Sequence, residues 1–386
     1  MFTFTIRSFF KLVLLKCVLF FHSSPKALDT LTVCEQSGMN VDFIECAALV
    51  NLYNITDGDN WFNNSGWGTA NVNNWHGINA DVVGGHVLWV DLPNNGLNGV
   101  IPSTLRELTY LTVLNLSENQ LVHIIPIDIG LMESLSFLDL SDNMLVGGIP
   151  ASLGDIKSLR SVFLSQNMIS GELPSELGQL SGLEILWLND NMLTGRLPDS
   201  FNQMSSLRSF IADNNKFTGS IPSSWGNLKN LETISLNNNE MSGHLPACIG
   251  NLSSLKLLLL SENNLSGNLP LTLNQLTNLE ALNLIDNQFN GPLPNVSNLA
   301  QLDTLSLGEN QLSGTLPLNY ANLNLNNFSI YSNNLDHNPN EPSQPATIPV
   351  ALIDWFNDIP STLINFQTDS INIFNSGFES LVSCDL

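Results

Sequence analysis

Side chains able to do acid–base, nucleophilic or metal chemistry are few and scattered in this 386-residue chain. Past residue 27 the histidines are His76, His86, His123, His244 and His337, and none stands at metal-ligand spacing from a cysteine. His244 lies inside a GHLP turn, where it reads as a tolerated turn residue rather than a base. GxSxG, HExxH, a Walker loop and a GxGxxG at a strand–helix junction are all missing. Acidic pairs carry little meaning in a chain with 35 Asp plus Glu against 12 Lys plus Arg. The expectation is therefore a protein with no enzymatic activity, no metal and no cofactor. Recognition is the chemistry left. The net charge of −23 argues against nucleic acid or an anionic membrane as partner, since every phosphate would be repelled.

At the N-terminus, Arg7 and Lys11 precede the apolar run Leu12 to Phe21, and small, turn-prone residues follow. That order reads as a secretory signal peptide over 1–27, too short for a membrane span. Loss of Arg7, Lys11, Lys16 and Lys26 with it would take the net charge from −23 to −27. The mature chain then has no membrane span and is expected to be secreted, at the cell surface, or periplasmic if a bacterium retains it. Cys34 and Cys46 are close enough to staple an N-terminal cap, which an exported protein permits.

The elements that would carry a recognition surface are set by a repeat. LTYLTVLNLSENQL (108–121) recurs as MESLSFLDLSDNML, IKSLRSVFLSQNMI, LSGLEILWLNDNML and LKNLETISLNNNEM. The frame is LxxLxxLxLxxNxLxGxIPxxLGxL, with Asn95, Asn119, Asn143, Asn167, Asn191, Asn215, Asn239, Asn263 and Asn287 spaced by 24 residues, then Asn310 and Asn333 by 23. About eleven coils of 23–24 residues over 85–338 predict an α/β repeat solenoid. In each LxL the leucines point inward and the residue between them outward. Stacked coils then build a parallel sheet at roughly 4.8 Å per strand. The Asn amide can satisfy backbone groups left open at the turn, Gly admits the sharp turn after it, and LGxLxxL returns as a short helical or 3₁₀ piece.

Repeats such as GELPSELGQLSGLEILWLNDNMLTG resemble the plant-type leucine-rich repeats of receptor-kinase ectodomains and polygalacturonase-inhibiting proteins. The block ECAALVNLYNITDGDNWFNNSGWGTANVNNWHGI (45–78) resembles the cap preceding such repeats, above all in bacterial and algal members. The resemblance implies a leucine-rich-repeat horseshoe with a concave parallel sheet and a cap over 28–84. Repeat 2 departs from the frame, with His123 where Gly is usual. Residues 339–386 read as a Pro-rich segment and a C-terminal cap containing an amphipathic LIDWFNDI helix.

The outward column of the LxL pairs runs Asp91, Asn115, Asp139, Phe163, Trp187, Ile211, Ser235, Leu259, Asn283, Ser306, Ser329. Phe137 and Ile185, one position before the first leucine, share its side. Phe163, Trp187 and Ile211 stand on consecutive coils, so strand stacking predicts a contiguous apolar contact surface. The residues before the ladder Asn, among them Glu118, Asp142, Asp190 and Glu262, form a mainly acidic margin that favours a basic partner. The leading expectation is a recognition module for a protein or peptide, within which hydrolase inhibition is one form. The alternative is a glycan- or surface-binding adhesion or matrix protein, with aromatic rings stacking on sugars. Ice binding calls for a flat array of small residues, which these columns do not offer. Asn54, Asn63, Asn115, Asn251, Asn264, Asn295 and Asn327 begin Asn-x-Ser/Thr tripeptides, some of which the frame generates by itself.

Overall fold

The computed structural model describes residues 27–81 and 83–335. The segments read above as a signal peptide, a Pro-rich stretch, an amphipathic LIDWFNDI helix and a C-terminal cap fall outside the described residues, apart from the last residue of the first. Helix α1 (Thr30–Cys34) and helix α2 (Phe43–Ile55) open the described chain. Asp29 and Asp42 cap them by accepting from Thr32 N and Ile44 N, satisfying donors a helix start leaves open. A Cys34–Cys46 disulfide joins the two helices. Below them Tyr53, Trp61, Trp67 and Trp75 pack ring against ring, with centroids 4.8–5.4 Å apart.

The strand Ile78–Ala80 then pairs antiparallel with Val87–Asp91, the first strand of the solenoid. This hairpin covers an edge that would otherwise expose unpaired backbone. Buried Glu45 on α2 ties the hairpin down: its carboxylate accepts from Val87 N at 2.6 Å and lies 2.8 Å from His86 Nδ1.

Twelve strands make the concave sheet, eleven of them parallel and one per coil, as the ladder asparagines imply. Leu186 and Leu188 are 1% and 0% exposed, and the equivalent positions of every coil fill one continuous core. Between successive parallel strands of the concave sheet the chain returns through a 3₁₀ turn such as Ser175–Gln179, except over 293–303, where it makes plain turns; α-helix is confined to the cap among the described residues.

Two features go beyond the sequence reading. The residues after each ladder Asn form a second parallel sheet of eleven short strands, from Asn98–Val100 to Asn334–Leu335. In its strands the leucine of NxLxG points into the core and its neighbours point out. The residue before each ladder Asn is in the left-handed region, with φ between 46° and 59° from Asn94 to Ser332. His123, at φ 67°, holds the turn that glycine makes in other coils, such as Gly195 at φ 79°.

The ladder works coil to coil. Asn191 Oδ1 accepts from Ile169 N at 2.9 Å, and its Nδ2 donates to the carbonyls of Leu164, Leu188 and Asn189. One amide thus closes its own turn and bonds to the preceding coil, meeting the demand that buried backbone groups be paired.

Candidate recognition surface on the concave sheet

The outward residues fall into two columns fixed by strand register. The exit column pairs Asp139 with Phe163, Phe163 with Trp187, Trp187 with Ile211, and Ile211 with Ser235. The entry column pairs Trp89 with Val113, Val113 with Phe137, Phe137 with Ser161, and Ser161 with Ile185. Apolar side chains hold the entry column over the first three coils and the exit column over the next three. The crossing is a direct contact: the Phe137 and Phe163 rings are 5.5 Å apart. Phe163 then meets Trp187 edge to face at 5.0 Å, a favoured quadrupolar arrangement. The result is an oblique apolar band across six coils, about 24 Å long at the spacing of stacked strands.

Trp187 is 36% exposed, and its indole N–H donates to Ser209 Oγ on the next coil at 3.0 Å. The ring is therefore held in place rather than free to rotate. Ile185 and Ile211 flank it and are half-buried. Trp89, at 48% exposure, is the more open of the two tryptophans and was absent from the column first read. Its signal was available: it precedes Val90 as Phe137 precedes Leu138. Leu259 stands apart from the band, with Ser235 between it and Ile211.

Glu118, Asp142 and Glu262 are exposed, and Asp190 is half-buried, accepting from Asn189 Nδ2 at 2.6 Å and Asn214 Nδ2 at 2.7 Å. The left-handed backbone accounts for part of this column, because Asp and Asn tolerate that conformation best. It gives no reason for Glu118, Glu262 and Glu309, so the charge of these three is the more informative.

Two further polar features escaped the sequence reading. Arg160, Glu184, Arg208, Glu232, Lys256 and Glu280 form a row of alternating sign at the strand-entry edge. Arg208 lies 3.7 Å from Glu184 and 2.9 Å from Glu232, which in turn lies 2.8 Å from Lys256. This edge neutralises itself, and sign alternation every 24 residues was its legible trace. Asp213 sits two residues past Ile211 and accepts from Ser235 Oγ at 2.7 Å and Asn237 N at 2.6 Å. Burial raises its carboxyl above the ordinary carboxylate range and the Asp190 charge adds to this, while the bonds from Ser235 and Asn237 oppose it.

Comparison with known proteins agrees with this architecture. The leucine-rich-repeat families match residues 86–145 and, in four successive copies, 158–180, 182–204, 206–228 and 230–252. No curated protein matches the sequence. The ectodomain of the Arabidopsis thaliana membrane receptor kinase GASSHO1/SCHENGEN3, solved with CASPARIAN STRIP INTEGRITY FACTOR 2, is 33% identical with a TM-score of 0.67, over 68% of this chain and 32% of that one. The Arabidopsis receptor kinase HAESA, solved with the peptide hormone IDA and the co-receptor SERK1, is 33% identical with a TM-score of 0.57, over 68% and 52%. A plant ice-binding protein shares the fold at 24% identity and a TM-score of 0.62, over 78% of this chain and 97% of that one. The chain spans about a third to a half of the receptor ectodomains it matches. With eleven registered coils, a ladder asparagine in each and these likenesses, the chain is a plant-type leucine-rich-repeat protein.

Proposed function

We propose that the chain is a secreted or cell-surface recognition module that binds an extended, basic peptide or protein segment along the oblique apolar band. The observation that carries this reading is the contiguity of Trp89, Val113 and Phe137 with Phe163, Trp187 and Ile211 across two columns. Aromatic anchors held rigid by their neighbours supply affinity at low entropic cost. An extended segment advances about 3.3 Å per residue, so the band accommodates about seven residues. The entry edge cancels its own charge, so the field over the sheet comes from the exit edge and from the overall −23. A partner with Lys or Arg on the exit side gains from that field in encounter rate and in orientation. Receptor ectodomains of this family solved with peptide hormones support a peptide as the ligand class. Inhibition of a secreted hydrolase is a special case, in which the segment belongs to an enzyme.

Selection from a displayed library of random peptides tests the reading. Enriched peptides are expected to alternate apolar residues and to carry basic ones, and to lose at least tenfold in affinity on Trp187→Ala. Peptides that bind Trp187→Ala and Phe163→Ala as well as the parent would rule out this surface. Enrichment on a glycan array with none from the peptide library would favour the adhesion reading instead.

A further inference from the structure

We infer that the acidic amphipathic segment 352–359, LIDWFNDI, folds back and docks as a helix on an apolar face of the second sheet in coils 2–5. The concave band takes no part in this contact, so the inference stands apart from what that band binds.

Strands of neighbouring coils in the second sheet pair with an offset, and the outward side chains step diagonally across its face. Val122 pairs with Met144, Val146 with Met168, and Ser170 with Met192. Leu145 and Ile169 point into the core between them, so Met144 and Val146 share the outer face. Ile124 lies over Gly147, where an added Cβ would come within 2.7 Å of Ile124 Cγ2, and so extends the face beside Val146. Ile124 is 57% exposed, Met192 38% and Val146 36%, while Val122, Met144 and Met168 are half-buried. The backbone does not demand these residues, because later coils put Glu240, Ser242, Asn264 and Ser266 at the same positions. Apolar side chains in register across four coils mark a contact surface, and methionines suit one that adapts to its partner.

Reach, periodicity and charge select this chain's own segment as the occupant. The described chain ends in Asn334–Leu335, the last strand of this same sheet. From there the strand of Met192 is six spacings away and that of Val122 nine, about 29 and 43 Å at roughly 4.8 Å each. Residues 336–351 span about 50 Å when extended at about 3.1 Å per residue, and Pro339, Pro342, Pro345 and Pro349 favour extension. Leu352, Trp355, Phe356 and Ile359 then recur at helical spacing as one stripe about 10 Å long, and Pro360 ends the run.

At that spacing Asp354 and Asp358 fall together on the other side, and no Lys or Arg stands past Lys256. Arg196 and Lys216, on the coil 5–6 border of the apolar face, are exposed and form no ion pair among the described residues. Glu172 and Glu240 share that face and lie beyond ion-pair distance of both. Two unpaired cations beside an apolar face favour an acidic partner. A second copy would bring the same cations and a net charge of −23 against this one. Tethering lets modest contacts suffice: at an effective concentration of about 1 mM, an intrinsic dissociation constant of about 0.1 mM keeps the segment docked about nine-tenths of the time.

Methionine oxidation reports on this face directly, since peroxide transfers one oxygen atom to an accessible thioether and leaves water. The full chain and its Trp355→Ser/Phe356→Ser variant are pulsed with hydrogen peroxide and mapped by mass spectrometry. Met144, Met168 and Met192 are expected to oxidise faster in the variant, by up to about tenfold, the inverse of the undocked fraction. Met39 in the cap should react alike in both. Conversely, Val146→Asp is expected to speed hydrogen exchange of the amides of 352–359 by a similar factor. Equal oxidation in parent and variant, unchanged exchange in Val146→Asp, or protection that grows with protein concentration, as a second copy would give, would overturn the inference.

Discussion

The first six and the last five coils of the concave sheet have the same interior and different exteriors. Both halves bury leucines at the LxL positions, and both carry the amide ladder with matching geometry. Asn143 in coil 3 accepts from Leu121 N and donates to Leu116 O at 2.9 Å each. Asn263 in coil 8 does the same with Met241 N and Leu236 O, also at 2.9 Å. Outside, the first half presents two tryptophans and two phenylalanines, and the exit column of the second half is largely Ser and Asn: Ser235, Asn283, Ser306, Ser329. A backbone requirement would impose the same residue types along the whole sheet. The difference therefore separates what the coil needs from what its surface is for.

The largest expected effect tests the shared part. Asn143→Ala and Asn263→Ala each strip a buried backbone N–H of its acceptor and several carbonyls of their donor. Each is expected to cost about 3–5 kcal/mol, on the scale of 1–3 kcal/mol per unsatisfied buried group. The two losses should agree to within about 1 kcal/mol, measured as shifts in urea midpoint with local unfolding followed by hydrogen exchange. A much larger loss in one half would break the claim that the interiors are equivalent.

Next in size is the effect that should differ between the halves. Trp187→Ala is expected to weaken binding of a selected peptide by about 2 kcal/mol or more, in the range of a central aromatic anchor. Trp89→Ala at the end of the band should cost about 1 kcal/mol, and Leu259→Ala in the second half less than either. Titration calorimetry on the three variants ranks them directly. If Leu259→Ala were the most damaging, the site would lie on the Leu257–Leu259 island of coil 8 rather than on the band.

A smaller, kinetic effect concerns the self-neutralised edge. Arg208→Met leaves Glu184 and Glu232 with less compensation and makes the sheet more negative. A basic peptide should then associate faster, by no more than about threefold, and salt should erase the gain. Stability should not change measurably, since exposed ion pairs contribute little. An unchanged or slower association in stopped flow would mean that the field of this edge does not reach the ligand.

How much of this was legible in the sequence depends on whether a position repeats. Asn191, Leu186 and Leu188 recur every 24 residues, so their roles could be read from spacing alone. Phe163, Trp187 and Ile211 could be placed side by side once the repeats were in register. Trp89 escaped because the entry column was followed only at Phe137 and Ile185, although the same alignment exposes it. The second sheet was not legible in the same way. Its strands are two to five residues long, most hold a single inward apolar residue, and they owe their existence to pairing between coils rather than to local propensity. The acidic margin was read as charge, while half of it is backbone: Asp142 and Asp190 suit a left-handed turn whatever they face.

The smallest predicted effect lies at the seam between the halves, where Asp213 of coil 6 bonds to Ser235 and Asn237 of coil 7. Its carboxyl is raised from the ordinary 3.8, with burial the leading cause. A group that holds its proton more tightly when folded adds stability below its unfolded pKa and loses that contribution as pH rises through the folded value. At neutral pH the charged carboxylate is then a net cost, moderated by solvent because the side chain is only partly covered. Asp213→Asn removes the charge and keeps an oxygen to accept from Asn237 N. Its thermal midpoint should exceed that of the parent at pH 7, on the order of 1–2 °C for a chain of this size. The gap should narrow as pH falls toward 3.8, where the parent carboxyl is itself protonated. A variant less stable by a constant amount at every pH would mean that the bonds to coil 7 outweigh the burial. The seam would then be held together by this carboxylate, and the two halves would be joined by a contact that the repeat frame does not supply.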